Sequence, residues 1–353
     1  MLLDPETLDL APRAQSVLDE LPAGLGAKLE LPASQLELAG RPAASLEELA
    51  QGLADARRRM ADALDGGAIP ACAGVHPFAA GEGELNRGAR YERLAERYGS
   101  VARRQLVCAL HVHVALDGAE RALAVYNAMR AHLPDVAALA ANAPIHEGRD
   151  TGMASVRPAI SGMLPRQGIP PAFACWEQLA AALARLVRAG AIADLGEWWW
   201  ELRLHPRFGT IEVRVADAQT EPADAAAVAA FASGLVLRLA ERHDAGELEA
   251  PVSGWLIAEN RSSAARHGAR GEMLDLASGR PVATTERLHG LLQEISPLVV
   301  SHGGGGHLGR VRELIERGGA ERRREAFASG GAEAVARELA AGFLAGTAEP
   351  GPC

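Results

Sequence analysis

Two histidines stand two residues apart in the apolar string QLVCALHVHVAL at 105–116. Read as a strand, its period of two puts His111 and His113 on one face with Val107, Ala109 and Ala115. Leu106, Cys108, Leu110, Val112, Val114 and Leu116 take the other. Imidazoles paired in this way can ligate a metal or polarise a substrate, and the pattern equally suits an exposed face that tolerates histidine. A second group lies in ELRLHPRFGTIEVRVADAQT at 201–220. Strands over 198–204 and 210–216, joined by HPRFG, form a hairpin. Trp199, Glu201 and Arg203 share one face of the first; Thr210, Glu212 and Arg214 share the polar face of the second. Such a face is either a set of cross-strand ion pairs or, if covered, a pocket of carboxylates and guanidiniums. Carboxylates hold Mg²⁺, and guanidiniums hold phosphate and carboxylate groups. Gln35 and Glu37, on one face of the extended segment 28–38, offer further oxygen ligands.

A third group is the run Arg149, Asp150, Thr151, Ser155, Arg157 and Arg166 inside the Pro- and Gly-punctuated segment 142–173. Small residues let backbone approach an anion, and arginine supplies forked donors; a solvated loop is the plainer alternative. A segment this long is functional or disordered, and its mixed aliphatic and polar content favours an ordered, working loop. Other strings carry less. Gly304 to Gly309 fits GxGxxG, but no parallel βαβ unit surrounds it, and it reads as a surface loop. There is no P-loop, HExxH or GxSxG string. Trp198–Trp200 reads as core and edge packing, and Arg322–Arg324, among glutamates, as a solvated helix face.

The elements that position these groups follow from local signals. Ser45 to Glu48 is a capping box opening a helix to about Leu64, stopped by Gly66-Gly67. AIPACAGVHP at 68–77 reads as a short strand. A helix over 119–141 is bent or broken near Pro134, another covers 176–189, and after about 221 the chain is mostly helical. The half-buried, alternating strands without βαβ rhythm point to an antiparallel arrangement. The tail at 345–353 is expected to fray.

The chain has 353 residues, 48% hydrophobic and 23% charged, and a net charge of −9. This is an ordinary globular composition, large enough for a full core in one or about two domains. The acidic balance argues against nucleic-acid and anionic-membrane binding. No run long enough for a membrane span and no signal peptide are read. Cys72, Cys108, Cys175 and Cys353 form no CxxC pair, so a reducing cytoplasm is the default. Lys28 is the sole lysine, so anion recognition falls to arginine.

Four of these segments together resemble the carboxylate-amine ligase (type 2 glutamate–cysteine ligase) family: ALHVHVAL at 109–116, NAPIHEGRDTGMASVRP at 142–158, ELRLHPRFGTIEVRVADAQT at 201–220 and ENRSSAARHG at 259–268. SQLEL at 34–38, VHPFA at 75–79 and GGAERRRE at 318–325 extend the likeness over nearly the whole chain. The resemblance implies an α+β fold in one catalytic domain over 1–353: a curved, mainly antiparallel sheet forming a glutamine synthetase-like funnel with helices packed outside. It implies that ATP phosphorylates the glutamate γ-carboxylate and that the cysteine amine, or another small amine, attacks the acyl phosphate.

By motif position, the resemblance makes Glu37, Glu212 and His113 the metal candidates, for Mg²⁺ or alternatively Mn²⁺. Arg149, Arg203 and Arg214 become the catalytic candidates, and these three with Arg157 and His113 the ATP-binding ones; His111 lies on the same strand. It also suggests a homodimer. Family members open with a GVEEE-type strand before an LLVDPET-like stretch, whereas this sequence opens at Met1-Leu-Leu-Asp-Pro-Glu-Thr, so the expected start lies upstream. The alternatives are a relative that binds ATP or an amino acid without turnover, and a metal-dependent hydrolase built on His111, His113 and Glu212.

Overall fold

The computed structural model describes residues 1–22, 24–64 and 66–347. Cys353 and most of the tail expected to fray therefore lie outside the described residues. The strands are β1 (Leu2–Leu3), β2 (Ala27–Leu29), β3 (Leu36–Leu38), β4 (Ile69–Pro70), β5 (Ala109–Ala115), β6 (Ile145–His146), β7 (Arg149–Asp150), β8 (Leu202–His205), β9 (Thr210–Asp217), β10 (Glu272–Leu274) and β11 (Pro281–Ala283). The helices are α1 (Ala14–Glu20), α2 (Leu46–Ala63), α3 (Ala89–Tyr98), α4 (Ser100–Arg103), α5 (Ala119–Met129), α6 (Leu133–Leu139), α7 (Arg157–Ser161), α8 (Trp176–Arg188), α9 (Pro222–Asp244), α10 (Gly254–His267), α11 (Thr284–Ser301), α12 (Leu308–Glu316) and α13 (Gly319–Gly342). This is the expected mixture of helices with antiparallel strands. The strands are divided among small sheets, of which β5-β9-β8 is the three-stranded one.

That sheet positions the chemistry, and its β-branched alternation explains it. Val112, Val114, Leu202, Leu204, Ile211 and Val213 all face a core shared with α5, α6 and α9. Full burial of such side chains is worth roughly 1.5–3 kcal/mol each. Their polar neighbours are thereby forced onto the opposite face. Helix α9 is alanine-rich and buried along most of its length. Small side chains let other helices approach closely: a Cβ on its Gly234 would come within 2.8 Å of Val299. By length and composition α9 could cross a membrane, contrary to the sequence reading that found no such run. Here 83% of its most apolar window is buried inside the fold.

Ser45 caps α2 through Glu48 N–H, and the Glu48 carboxylate reaches back to Ala44 N–H at 2.7 Å. Pro134 lies in the first turn of α6, so the expected 119–141 helix is two helices joined by a 3₁₀ turn. The 68–77 stretch pairs only through β4 and a bridge from Val75 to Val107.

The 142–173 segment is ordered. Glu147 and Gly148, both at positive φ, turn the β6–β7 hairpin, and Ala154 and Ser155 N–H groups bond carbonyls of α10.

One expectation is corrected. Arg322–Arg324 is not a solvated face: Arg323 is 2% exposed, Arg322 pairs with Glu221 and Asp224, and Arg324 pairs with Asp150. A charge run read in sequence says nothing of the acidic groups that other elements bring to it. Cys72, Cys108 and Cys175 are free.

Candidate active site

The polar face of the central sheet has Glu212 at its centre. In register, Glu212 of β9 stands between His113 of β5 and Arg203 of β8. Arg203 Nε donates to Glu212 Oε2 at 2.6 Å, and Arg214 Nη1 donates to Oε1. His111 Nδ1 and His113 Nε2 each lie 3.6 Å from Oε1. Glu212 is 1% exposed. Burial alone would raise its pKa; the charges of Arg214 and Arg203 override that and hold it at about 2.

Between the Leu110–Ala216 and Val112–Val213 pairs the register shifts, so Arg214 and Val215 together oppose His111. Bulges of this kind re-aim side chains beside active sites. Here it accompanies an Arg214 Nη1 to His111 Nδ1 distance of 3.4 Å. Burial, then the charge of Arg214, pulls the His111 pKa well below its ordinary value. Burial lowers that of His113, whose Nδ1 lies 3.0 Å from Thr210 Oγ1. Both imidazoles are therefore neutral near pH 7. With one carboxylate and two guanidiniums, the row carries an excess positive charge suited to an anion. Nη2 of both Arg203 and Arg214 has no protein acceptor among the described residues.

Glu201, expected on this face, instead forms a buried pair with Arg261 of α10, which donates through Nε at 2.9 Å and Nη2 at 2.7 Å. Arg157 is also buried: its Nε donates to Asp217 at 2.7 Å, Asp217 accepts from Ser155 Oγ, and Arg157 Nη2 reaches the Val215 carbonyl. This clamp ties the 142–158 motif to the end of β9. Arg149 has a side chain 74% exposed and pairs with Glu147; it touches none of the Glu212 row.

Glu37 sits on the β2–β3 hairpin opposite Lys28, with which it pairs at 2.9 Å. Beside it is Glu30, which the sequence reading missed. Burial, followed by the charge of Glu37 and a carboxyl–carboxyl hydrogen bond with it, pushes the Glu30 pKa up to about 7. Glu30 is close enough to Arg214 for its charge to act on that guanidinium. The signal was present in KLELPASQLEL: in a hairpin, Lys28 and Glu30 share the face of Glu37.

No three His, Cys, Asp or Glu side chains converge on a metal-sized point among the described residues. Glu37, Glu212 and His113 therefore do not form a compact three-ligand site. The Glu30–Glu37 pair does suit Mg²⁺, which is commonly held by one or two carboxylates plus substrate phosphates and water.

The fold matches solved ligase structures. Glutamate–cysteine ligase from Francisella tularensis, in complex with AMP, superposes with a TM-score of 0.65 at 12% identity, covering 90% of this chain and 82% of that one. A bifunctional glutathione synthetase from Pasteurella multocida gives 0.65 at 16% identity, covering 91% of this chain and 48% of that one. At the level of sequence, the profile of glutamate–cysteine ligase family 2 matches residues 3–339, and the chain belongs to that family. A Rubrobacter xylanophilus relative, provisionally named glutamate–cysteine ligase 2-3, is 40% identical over 94% of this chain and 91% of its own length. A Thermobifida fusca relative, provisionally named glutamate–cysteine ligase 2, is 32% identical over 97% and 89%. The chain is an enzyme of this ligase type.

Proposed function

We propose that the chain is an ATP-dependent carboxylate-amine ligase that joins glutamate, through its γ-carboxylate, to cysteine. The observation that carries this reading is the cationic Arg203–Glu212–Arg214 row lying near the Glu30–Glu37 carboxyl pair, in a chain of this family. Phosphoryl transfer requires anions to be positioned and their spreading charge neutralised, with little covalent work by the protein.

A γ-carboxylate oxygen attacks the γ-phosphorus of ATP and ADP leaves. The cysteine amine then attacks the acyl carbon of γ-glutamyl phosphate, phosphate leaves, and γ-glutamylcysteine is formed. Arg203 and Arg214 have free Nη2 donors for the transferred phosphoryl oxygens, and Glu212 holds both guanidiniums in place. The neutral imidazole of His113 is the one suited to accept the proton that the amine loses, because the His111 pKa is held well below its ordinary value. Glu30 and Glu37 are the residues that would hold Mg²⁺, whose chemistry would be to neutralise the phosphate oxygens. Arg157 acts through Asp217 as a positioning residue for β9. The small sheets are proposed to line one funnel, with the Glu212 row on its wall.

The test is ADP release by the purified chain with Mg-ATP and glutamate, with and without cysteine. Cysteine-dependent ADP with stoichiometric γ-glutamylcysteine supports the reading. ADP that depends on a different amine changes the assigned substrate. ATP binding without ADP under any combination of acid and amine overturns it in favour of a binding protein.

A further inference from the structure

A groove of about 520 Å³ opens between the end of α5, the 169–172 segment and the start of α10. Trp200, in its wall, packs against the core on the helix-covered face of the sheet, whereas Arg203 and Glu212 meet on the other face. The volume is within the range of small-molecule sites.

Arg130 lies in the wall and is 2% exposed. Its Nε donates to the Pro170 carbonyl at 2.7 Å and its Nη1 to the Val252 carbonyl at 3.2 Å. No carboxylate pairs with this guanidinium, and Nη2 has no protein acceptor, among the described residues. A buried cation without a counter-charge is costly, so an anion that reaches Nη2 from the groove would be favoured there.

A second feature meets it in the same cavity. Nη2 lies 3.3 Å from where a Cβ on Gly254 would stand, and Gly254 is the first residue of the 14-residue helix α10. Ser253, the cap residue, makes no side-chain capping bond there. The open N–H groups and positive dipole end of α10 therefore favour negative charge at the same place as Arg130 does.

The other walls are apolar, with Pro170, Pro171, Trp200 and Val252 prominent. They do not suit a polyphosphate, which needs several cations. No acidic side chain lines the groove, so the ammonium of a free amino acid would go unpaired, which separates this ligand from the amino-acid substrates. We propose that the groove is a second small-molecule site that binds an organic carboxylate lacking an amino group. Its anionic end rests on Arg130 Nη2 and the start of α10, and its apolar body lies against Trp200 and the prolines.

The test uses 3-phenylpropionate as the probe, titrated into the full chain by calorimetry with tryptophan fluorescence in parallel. Saturable millimolar or tighter binding is expected, with the uncharged amide weaker by roughly tenfold to a hundredfold, the worth of a charged hydrogen bond. Arg130→Met should weaken the probe by a similar factor. Should that variant fail to fold, Ala172→Glu decides: it sets a carboxylate in the groove wall, should melt as the wild type does, and should abolish binding. Saturating ATP and glutamate should leave probe affinity unchanged. The proposal is overturned if the probe does not bind, if the amide binds equally well, if binding survives Ala172→Glu, or if glutamate displaces the probe.

Discussion

Arg203 and Glu212 face each other in direct register on β8 and β9, and their 2.6 Å contact is one of two guanidinium contacts to a carboxylate that is almost fully buried. The pair is at once a structural joint between two strands and half of the proposed phosphate-binding row. Its loss should therefore register in stability as well as in turnover.

Glu212→Gln removes the charge and leaves two half-buried guanidiniums without their shared carboxylate. Breaking one side of a buried ion pair costs about 3–5 kcal/mol. The urea midpoint should fall by a corresponding amount, and ADP release should be lost at temperatures where the variant is still folded. A midpoint equal to wild type would show that the arginines are neutralised elsewhere.

Acid titration should expose the same group. Glu212 has a folded pKa of about 2 against a reference of 4.5. For a depressed carboxylate, the stabilisation is present above pH 4.5 and is lost as pH falls from there toward 2. Its size is of order 3 kcal/mol. Unfolding free energies measured across that window in wild type and Glu212→Gln should converge toward low pH. Parallel curves would refute the assignment.

Glu30 works in the opposite sense. Its pKa is raised from 4.5 to about 7, so the unfolded chain ionises first and stability declines as pH rises from about 4.5 to 7. A divalent cation bound by Glu30 and Glu37 would offset that decline. Millimolar Mg²⁺ should raise the melting temperature more at pH 8 than at pH 5, and Glu30→Gln should remove the difference. An Mg²⁺ effect independent of pH would place the cation elsewhere.

Arg149→Ala should change stability by less than about 0.5 kcal/mol, because the side chain is largely exposed and its pair with Glu147 is a surface one. Turnover is the informative readout. A fall in kcat or a rise in the KM for ATP would assign Arg149 a role on bound substrate, whereas unchanged kinetics would remove it from the site.

Burial should separate Arg323 from nearby Arg317. Arg323→Ala removes a donor to Thr220 and Glu338 from the interior and should cost about 3 kcal/mol. Arg317→Ala, which breaks an exposed pair with Glu325, should leave the denaturation midpoint almost unchanged. Equal losses in chemical denaturation would contradict the burial pattern.

What could be read from the residues in order was what depends on near neighbours. The alternation of β5, β8 and β9 located Glu212, Arg203, Arg214, His111 and His113 on polar strand faces. The Ser45 cap and Pro134 marked where helices begin or break, and the long motifs marked the family. These signals are local because strand period, capping and proline geometry act over a few residues.

The tertiary structure decided which of those groups meet. It turned Glu201 toward Arg261 and Arg157 toward Asp217, placed Arg149 at the surface, and set Glu30 against Glu37. The shift in strand register opposite His111 and the burial of Arg323 have no signature in spacing either. Each depends on which carboxylate or guanidinium a distant element delivers, and on how much water is left beside it. A sequence names the charged groups, but their partners and solvation, and hence their charge states, are set only once the chain has packed.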